Sequence, residues 1–237
     1  DPKDLTVTGA GAADKEYDKQ TAAGISGATL SGVETNDVVN LNNHTAGIFA
    51  TNTVGNGIPV TVAMSLTGAD AGNYNLLQPT NLAANITLRQ LSVIQATVQT
   101  KVYDGNTAAV VLGAALDRAV FGDDVSLTNH VTGTFATDAI GTNIAVTTTM
   151  SLTGTDAANY ALTGPPTLAG TIPGQPLEIQ GLAALDRVYD GSTNVALDAR
   201  LAKLVLPSTT NEVTNGVALD TNAATGSFLD KQVGTNK

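Results

Sequence analysis

Four aspartates carry the strongest case for chemistry in this chain. Asp70 and Asp156 each open an Asp-x-x-Asn-Tyr stretch, and Asp123 and Asp124 are adjacent. Calcium and similar hard cations take carboxylate and carbonyl oxygens, which such clusters can supply. No Asp-x-Asp-x-Asp-Gly loop is present, however, and Asp37 stands alone where the second copy of the sequence has its acidic pair. Solvated turn aspartates are the plain reading, and calcium at a junction between units is the sharper one. No other cofactor is expected. Nucleophilic chemistry has less support, since it needs a nucleophile, a base and an orienting acid within reach. His44 and His130 both follow Leu-x-Asn, in one repeat position, and neither a cysteine nor a Gly-x-Ser-x-Gly elbow accompanies them. They read as turn histidines. The expectation is a protein without enzymatic activity or catalytic residues.

What positions these groups is a repeat. Tyr17-Asp18, Tyr103-Asp104 and Tyr189-Asp190 recur every 86 residues (103 − 17 and 189 − 103). Units of that size can bury a core of their own, unlike solenoid repeats of roughly 20–50 residues that must stack. Phased on Leu5-Thr6-Val7-Thr8, Leu91-Ser92-Val93-Ile94 and Leu177-Glu178-Ile179-Gln180, the units fall at 5–90, 91–176 and 177–237. The junctions 86–90 and 172–176 are too short to be loose, and Pro173 and Pro176 stiffen the second. Self-contained beads joined this closely form an elongated rod.

Composition narrows the partners. Charged residues make up 14% of the chain and the net charge is −10, so there is no basic patch to neutralise phosphates. Nucleic acid and membrane insertion are not expected. Cysteine is absent, which forgoes disulfide staples. No apolar run is long enough to span a bilayer, and Asp1-Pro2-Lys3-Asp4 is no signal peptide, so the chain reads as an interior piece of something longer.

The elements are predicted to be mainly strands. Ile58, Val60, Val62, Met64 and Leu66 alternate over nine residues, as do Ile144, Val146, Thr148, Met150 and Leu152. This is the pattern of a half-buried strand about 30 Å long, with Pro59 suggesting an edge. Further strands are expected at 123–128, 133–137 and 167–172. Ala108–Val120 is read as extended or irregular, because the first copy fills that stretch with glycine and serine. Short helical turns are expected at Asp70–Tyr74 and Asp156–Tyr160, each capped by its aspartate. Every tyrosine falls in one of two repeat slots, and Phe49, Phe135 and Phe228 fill a Gly-x-Phe slot. These aromatics are expected to anchor the cores.

Four ordered motifs carry a resemblance. Lys101-Val102-Tyr103-Asp104-Gly105-Asn106-Thr107-Ala108-Ala109, Gly122-Asp123-Asp124-Val125-Ser126-Leu127, Gly133-Thr134-Phe135-Ala136 and Ser151-Leu152-Thr153-Gly154-Thr155-Asp156-Ala157-Ala158-Asn159-Tyr160 together resemble the YDG repeat. That module occurs in tandem in large bacterial surface adhesins of the filamentous-haemagglutinin-like type. The first unit departs from the signature at Lys19. The resemblance implies an extracellular, mainly β module in a stalk, with no catalytic residue to carry over. Three other chemistries are weaker. A Lys–Asn isopeptide staple would use the aligned Lys15 and Lys101, but Arg187 takes their place in the third unit. Thr147-Thr148-Thr149 lacks the many short rungs of an ice-binding face. The sequons at Asn43 and Asn85 are discounted in a bacterial chain.

The third unit is unlike the others. Seven residues are inserted before Gly226-Ser227-Phe228, and Asn236-Lys237 falls opposite Asn143-Ile144. The unit reads as incomplete, finished either by residues beyond Lys237 or by a strand from another chain. The fold expected is tandem small β-sandwich or β-grasp-like modules with at most short helical turns. The function expected is a spacer that projects a distal binding domain from a bacterial cell surface, with neighbouring units of the same long chain as partners. The alternatives are repeats that themselves bind a carbohydrate or host protein, or that polymerise with other copies into a fibre.

Overall fold

The computed structural model describes residues 1–164, 167–207, 209–214 and 216–235. The protein is mainly β, and helix among the described residues is limited to the 3-10 turns Ala71–Asn73 and Ala157–Asn159. The chain divides into two compact units: Asp1–Lys101 with Gly105–Ile172, and Val102–Asp104 with Pro173–Lys237.

The first unit holds two copies of one architecture. In the first repeat the leading strand Lys3–Thr8 lies between Tyr74–Leu77, to which it is parallel, and Thr29–Ser31, to which it is antiparallel. A second sheet runs in the order Gly11–Ala12, Ala22–Ser26, Ala46–Phe49, Gly55–Val62, Ala83–Thr87 and Lys15–Glu16. Val7 and Leu76 from the first sheet pack on Ile25, Phe49, Val60 and Ile86 from the second, so both enclose one core. The second repeat builds the same pairs except that of Lys15–Glu16 with the closing strand. Arg89–Ile94 runs parallel to Tyr160–Leu162 and antiparallel to Ala115–Asp117. Thr97–Val98, Ala108–Leu112, Thr132–Phe135, Gly141–Thr147 and Leu168–Ile172 form its larger sheet, in that order. One residue, Leu88, separates the closing strand of the first repeat from the leading strand of the second.

The long alternating run is not one strand. Gly55–Val62 ends before Ala63, and Ser65–Thr67 then leaves to pair with Asn40–Asn42. Alternation survives the break because Met64, 5% exposed, still points inward. The freed backbone of Met64 is satisfied by one side chain: its N–H donates to Gln78 Oε1 (3.1 Å), and Gln78 Nε2 donates to its carbonyl (2.8 Å). Nor is the strand at an edge, since it lies between Ala46–Phe49 and Ala83–Thr87. Pro59 is tolerated there because its carbonyl accepts from Ala50 N (2.9 Å). Its missing N–H therefore faces the neighbouring strand just past that strand's last residue, Phe49. The strand expected from Asp123 begins at Ser126 instead, because Asp123 and Asp124 are committed to other contacts.

The Gly-x-Phe triplet has a steric origin. A Cβ on Gly133 would lie 2.7 Å from Val146 Cγ1 and 3.1 Å from the Thr147 carbonyl. On Gly47 it would lie 2.8 Å from Val60 Cγ1, and on Gly226 2.7 Å from Val195 Cγ1. The glycine lets a β-branched neighbour close over the strand while the phenylalanine two residues on enters the core. Gly133→Ala should therefore cost about 1–3 kcal/mol of overpacking strain, measured as a lower urea midpoint at unchanged slope.

In the second unit the strands Glu178–Gln180 with Lys203–Val205, Ala183–Ala184 with Leu197–Asp198, and Asn194–Val195 with Gly226–Ser227 are all antiparallel pairs. Asn236 and Lys237, opposite Asn143-Ile144 in the sequence reading, lie outside the described residues.

Candidate functional site: the joint between the first two repeats

The signature turn divides its labour residue by residue. Asp18 Oδ1 accepts from Gln20 N (2.9 Å), and Asp190 Oδ1 accepts from Ser192 N (2.8 Å), closing an Asx-type turn. The third position has positive φ in every copy: 73° at Gly105, 79° at Gly191 and 68° at Lys19. Glycine adopts this at no steric cost, whereas a lysine gives up roughly 1 kcal/mol. A basic residue two before the tyrosine grips the turn. Lys15 Nζ donates to Asp18 Oδ1 (2.7 Å) and Gln20 O (2.6 Å), and Lys101 Nζ to Asn106 Oδ1 (2.6 Å). Arg187 pairs with Asp190 and the Ser192 carbonyl. Lys15 and Lys101 thus act as clamps on a turn.

The first tyrosine joins its own repeat's core to the next repeat, since it is buried in one cluster with Ile25, Phe49 and Ile86 as well as with Leu91 and Tyr160. Tyr17, 3% exposed, is covered by the second repeat. Its ring meets that of Tyr160 edge-on, with centroids 5.4 Å apart and planes at 78°, a favourable quadrupole arrangement. Both hydroxyls donate to one oxygen, Asp123 Oδ2, from 2.9 Å (Tyr17) and 2.6 Å (Tyr160). Lys19 Nζ pairs with the other, Asp123 Oδ1, at 2.7 Å, and also donates to the Gly122 carbonyl (2.9 Å). The strained Lys19 thus gains a partner in the next repeat that glycine could not reach. Val120 N donates to Tyr160 Oη (3.1 Å) and Val54 N to Asn159 Oδ1 (3.0 Å). Arg89 donates to the carbonyls of Tyr17 (3.3 Å) and Arg118 (2.7 Å), beside Glu16.

Apolar packing continues through this polar knot. Leu91 and Tyr160 are buried in the same cluster as Phe49, Ile58 and Ile86, and Leu116, Val120, Val125, Leu152 and Leu162 pack against it. The expectation of self-contained beads is corrected here, because the first two repeats share an interior. Tyr103 and Tyr189, in the slot of Tyr17, are 42% and 60% exposed and anchor no core.

The four aspartates weighed for calcium all accept hydrogen bonds. Asp70 Oδ2 takes Val38 N (2.8 Å) and Asp156 Oδ2 takes Asp124 N (2.9 Å). Asp124 Oδ2 takes the amide (3.0 Å) and hydroxyl (3.2 Å) of Thr155. Asp70 and Asp156 therefore do not cap their helical turns. Backbone bonds from Asn73 to Asp70 and from Asn159 to Asp156, each 3.0 Å, close those turns, and the carboxylates tie in the loop opposite. No group of three or more metal-binding side chains occurs among the described residues. His44 Nδ1 donates to Leu41 O (3.0 Å) at the surface.

Ionisation sets the working range of the joint. Burial pushes the Asp123 carboxyl up, but Lys19, Tyr160 and Tyr17 outweigh it, and the net pKa is depressed. A depressed carboxylate contributes stability above its unfolded pKa of about 4 and loses it as pH falls through the folded value. Burial raises the hydroxyl of Tyr160 to about 12, and the bond to Asp123 adds to this; Tyr17 is raised for the same reasons. That contribution is complete below about pH 10 and is lost progressively as pH rises from there through the folded value of about 12. The joint should hold unchanged from about pH 4 to 10 and open outside that window, read as loss of the tyrosine near-ultraviolet circular dichroism.

The site is thus a joint between tandem β modules. The chain belongs to the YDG domain family, which matches it three times, over residues 1–82, 87–168 and 173–237. No curated protein and no solved structure matches the chain. Sequence reasoning marked Tyr17, Tyr160 and Asp123 but missed their meeting. The available signal was Lys19, the one departure from glycine in the signature, two residues from a tyrosine that needed a partner.

Proposed function

We propose that these repeats are structural spacers in the stalk of an extracellular bacterial adhesin, holding a distal binding domain away from the cell surface. The observation that carries this reading is the shared interior of the first two repeats, pinned by Asp123 and connected through Leu88 alone. A joint of that kind fixes the angle between successive modules, which is what spacing requires and what a set of independent binding modules would not need. Tyr74 and Tyr160 are buried, 9% and 5% exposed, which leaves their rings poor stacking platforms for a glycan. Small-angle scattering should give the chain an elongated particle with a long-tailed distance distribution. A compact globule would overturn the proposal.

A further inference from the structure

We propose that the face of the first repeat around Asp37 and Tyr74 is a preformed socket for the Tyr-Asp-Lys turn of a further YDG module, which would sit on it as Tyr17-Asp18-Lys19 sits on the second repeat. The inference deepens the spacer reading and rests on it for its biological setting, while its geometry stands alone. Asp37 occupies the repeat position of Asp123, and Tyr74 that of Tyr160. Tyr74 Oη donates to Asp37 Oδ2 at 2.6 Å, the distance between Tyr160 and Asp123. Glu34 N donates to Tyr74 Oη at 3.1 Å, as Val120 N does to Tyr160. Asp70 braces the loop from below through Val38 N (2.8 Å), as Asp156 does through Asp124 N (2.9 Å). The tyrosine–aspartate bond, the backbone donor to the tyrosine and the aspartate brace are all reproduced in the first repeat, whereas the Asp124–Thr155 bonds are not, because Val38 stands in place of Asp124.

What differs is the incoming side. Asp123 also receives Tyr17 Oη and Lys19 Nζ, whereas Asp37 Oδ1 accepts from no donor among the described residues, and Val38 beside it is 55% exposed. Lys3 holds the place of Arg89, whose guanidinium reaches the carbonyl of the incoming tyrosine, and it pairs instead with Glu34. Glu34 stands where the second repeat has Val120, and Val38 where it has Asp124, so the two sockets carry the same number of carboxylates in a different arrangement. The occupant that fits has a tyrosine to share the Asp37 carboxylate and a cation two residues later. The turns at Tyr103 and Tyr189 carry glycine at that position, so the chemistry points to a Tyr-Asp-Lys or Tyr-Asp-Arg module and not to the other turns of this chain. Because plug and socket are different surfaces, such joints are head-to-tail and open-ended.

The test places a second copy of residues 1–86 directly ahead of Asp1 in the full chain, so that Asp1 and Pro2 stand where Thr87 and Leu88 normally stand. Hydrogen exchange at Glu34 and Val38 of the original repeat should slow at least tenfold relative to the unextended chain. Lys19→Gly in the added copy, or Asp37→Asn in the original, should remove most of that gain. Protection at Phe49 of the added copy reports that it has folded. A second fusion, using residues 87–172 with Gly105→Lys as the added module, presents the same turn on another scaffold. If both added modules fold and neither slows exchange at Glu34 and Val38, the socket does not exist. Scattering on the same extended chains separates the two readings: an elongated particle without protection sinks the socket alone, and protection within a compact particle sinks the spacer alone.

Discussion

Asp123→Ala should destabilise the first two repeats by about 3 kcal/mol. Two tyrosine hydroxyls lose their acceptor inside a joint that water does not reach, and each such loss costs about 1–1.5 kcal/mol. The ion pair with Lys19 adds little, because the lysine side chain is 39% exposed and solvent screens it. The Asp123 side chain is fully buried, so a lone methyl in its place repairs nothing. The measurement is urea unfolding of the intact chain. Asp37→Ala is the internal control, since it removes the same residue type from the same fold position without an incoming turn, and its effect should be clearly smaller. Equal losses from the two substitutions would mean that Asp123 serves only its own repeat, and the joint would lose its keystone.

Truncating the central ring should cost more. Phe135→Ala is expected to lower stability by about 4 kcal/mol, the range found for removing a buried phenylalanine and leaving its cavity. Phe135 is 1% exposed and packed so closely that a Cβ on Gly170 would fall 2.8 Å from its ring and 2.6 Å from Val98. The closing strand Leu168–Ile172 can cross the ring only because it carries glycine there, so little backbone is free to collapse into the hole. Phe49→Ala should behave alike in the first repeat. Phe121→Ala, which removes a ring that is 100% exposed, should change stability by less than about 0.5 kcal/mol. A comparable loss at Phe121 would contradict the packing described above.

The periodicity of Ile58 to Leu66 correctly marked which side chains turn inward, because alternation depends only on the local pleat. It could not reveal the break at Ala63, since that depends on Gln78, a residue fourteen positions away that satisfies the Met64 backbone. Pro59 misled for a related reason: an absent N–H is compatible with an interior strand whenever the neighbour has already ended. Phe49 and Phe135 were legible as core residues from their slot and type. The fate of Tyr17 was not, as a tyrosine buried by its own module and one buried by the next look alike in sequence. Asp123 was noticed for its oxygens and assigned to solvent or calcium. Two of its three donors, Tyr17 and Lys19, lie more than a hundred residues earlier, and no local pattern connects them.

The direction of the strand pairs has a mechanical consequence. In the first repeat, segments near the entry and the exit of the chain lie parallel: Lys3–Thr8 beside Tyr74–Leu77, and Lys15–Glu16 beside Ile86 and Thr87. The second repeat repeats the first of these pairs with Arg89–Ile94 and Tyr160–Leu162. When such a chain is tugged from its two ends, parallel partners are dragged in opposite directions along their own axes. Their hydrogen bonds are then loaded in shear and must yield together, whereas an antiparallel hairpin pulled at its open end unzips one bond at a time. A pulling force would therefore meet its resistance in a handful of parallel bonds, and the rate at which they fail sets how long each repeat survives the pull.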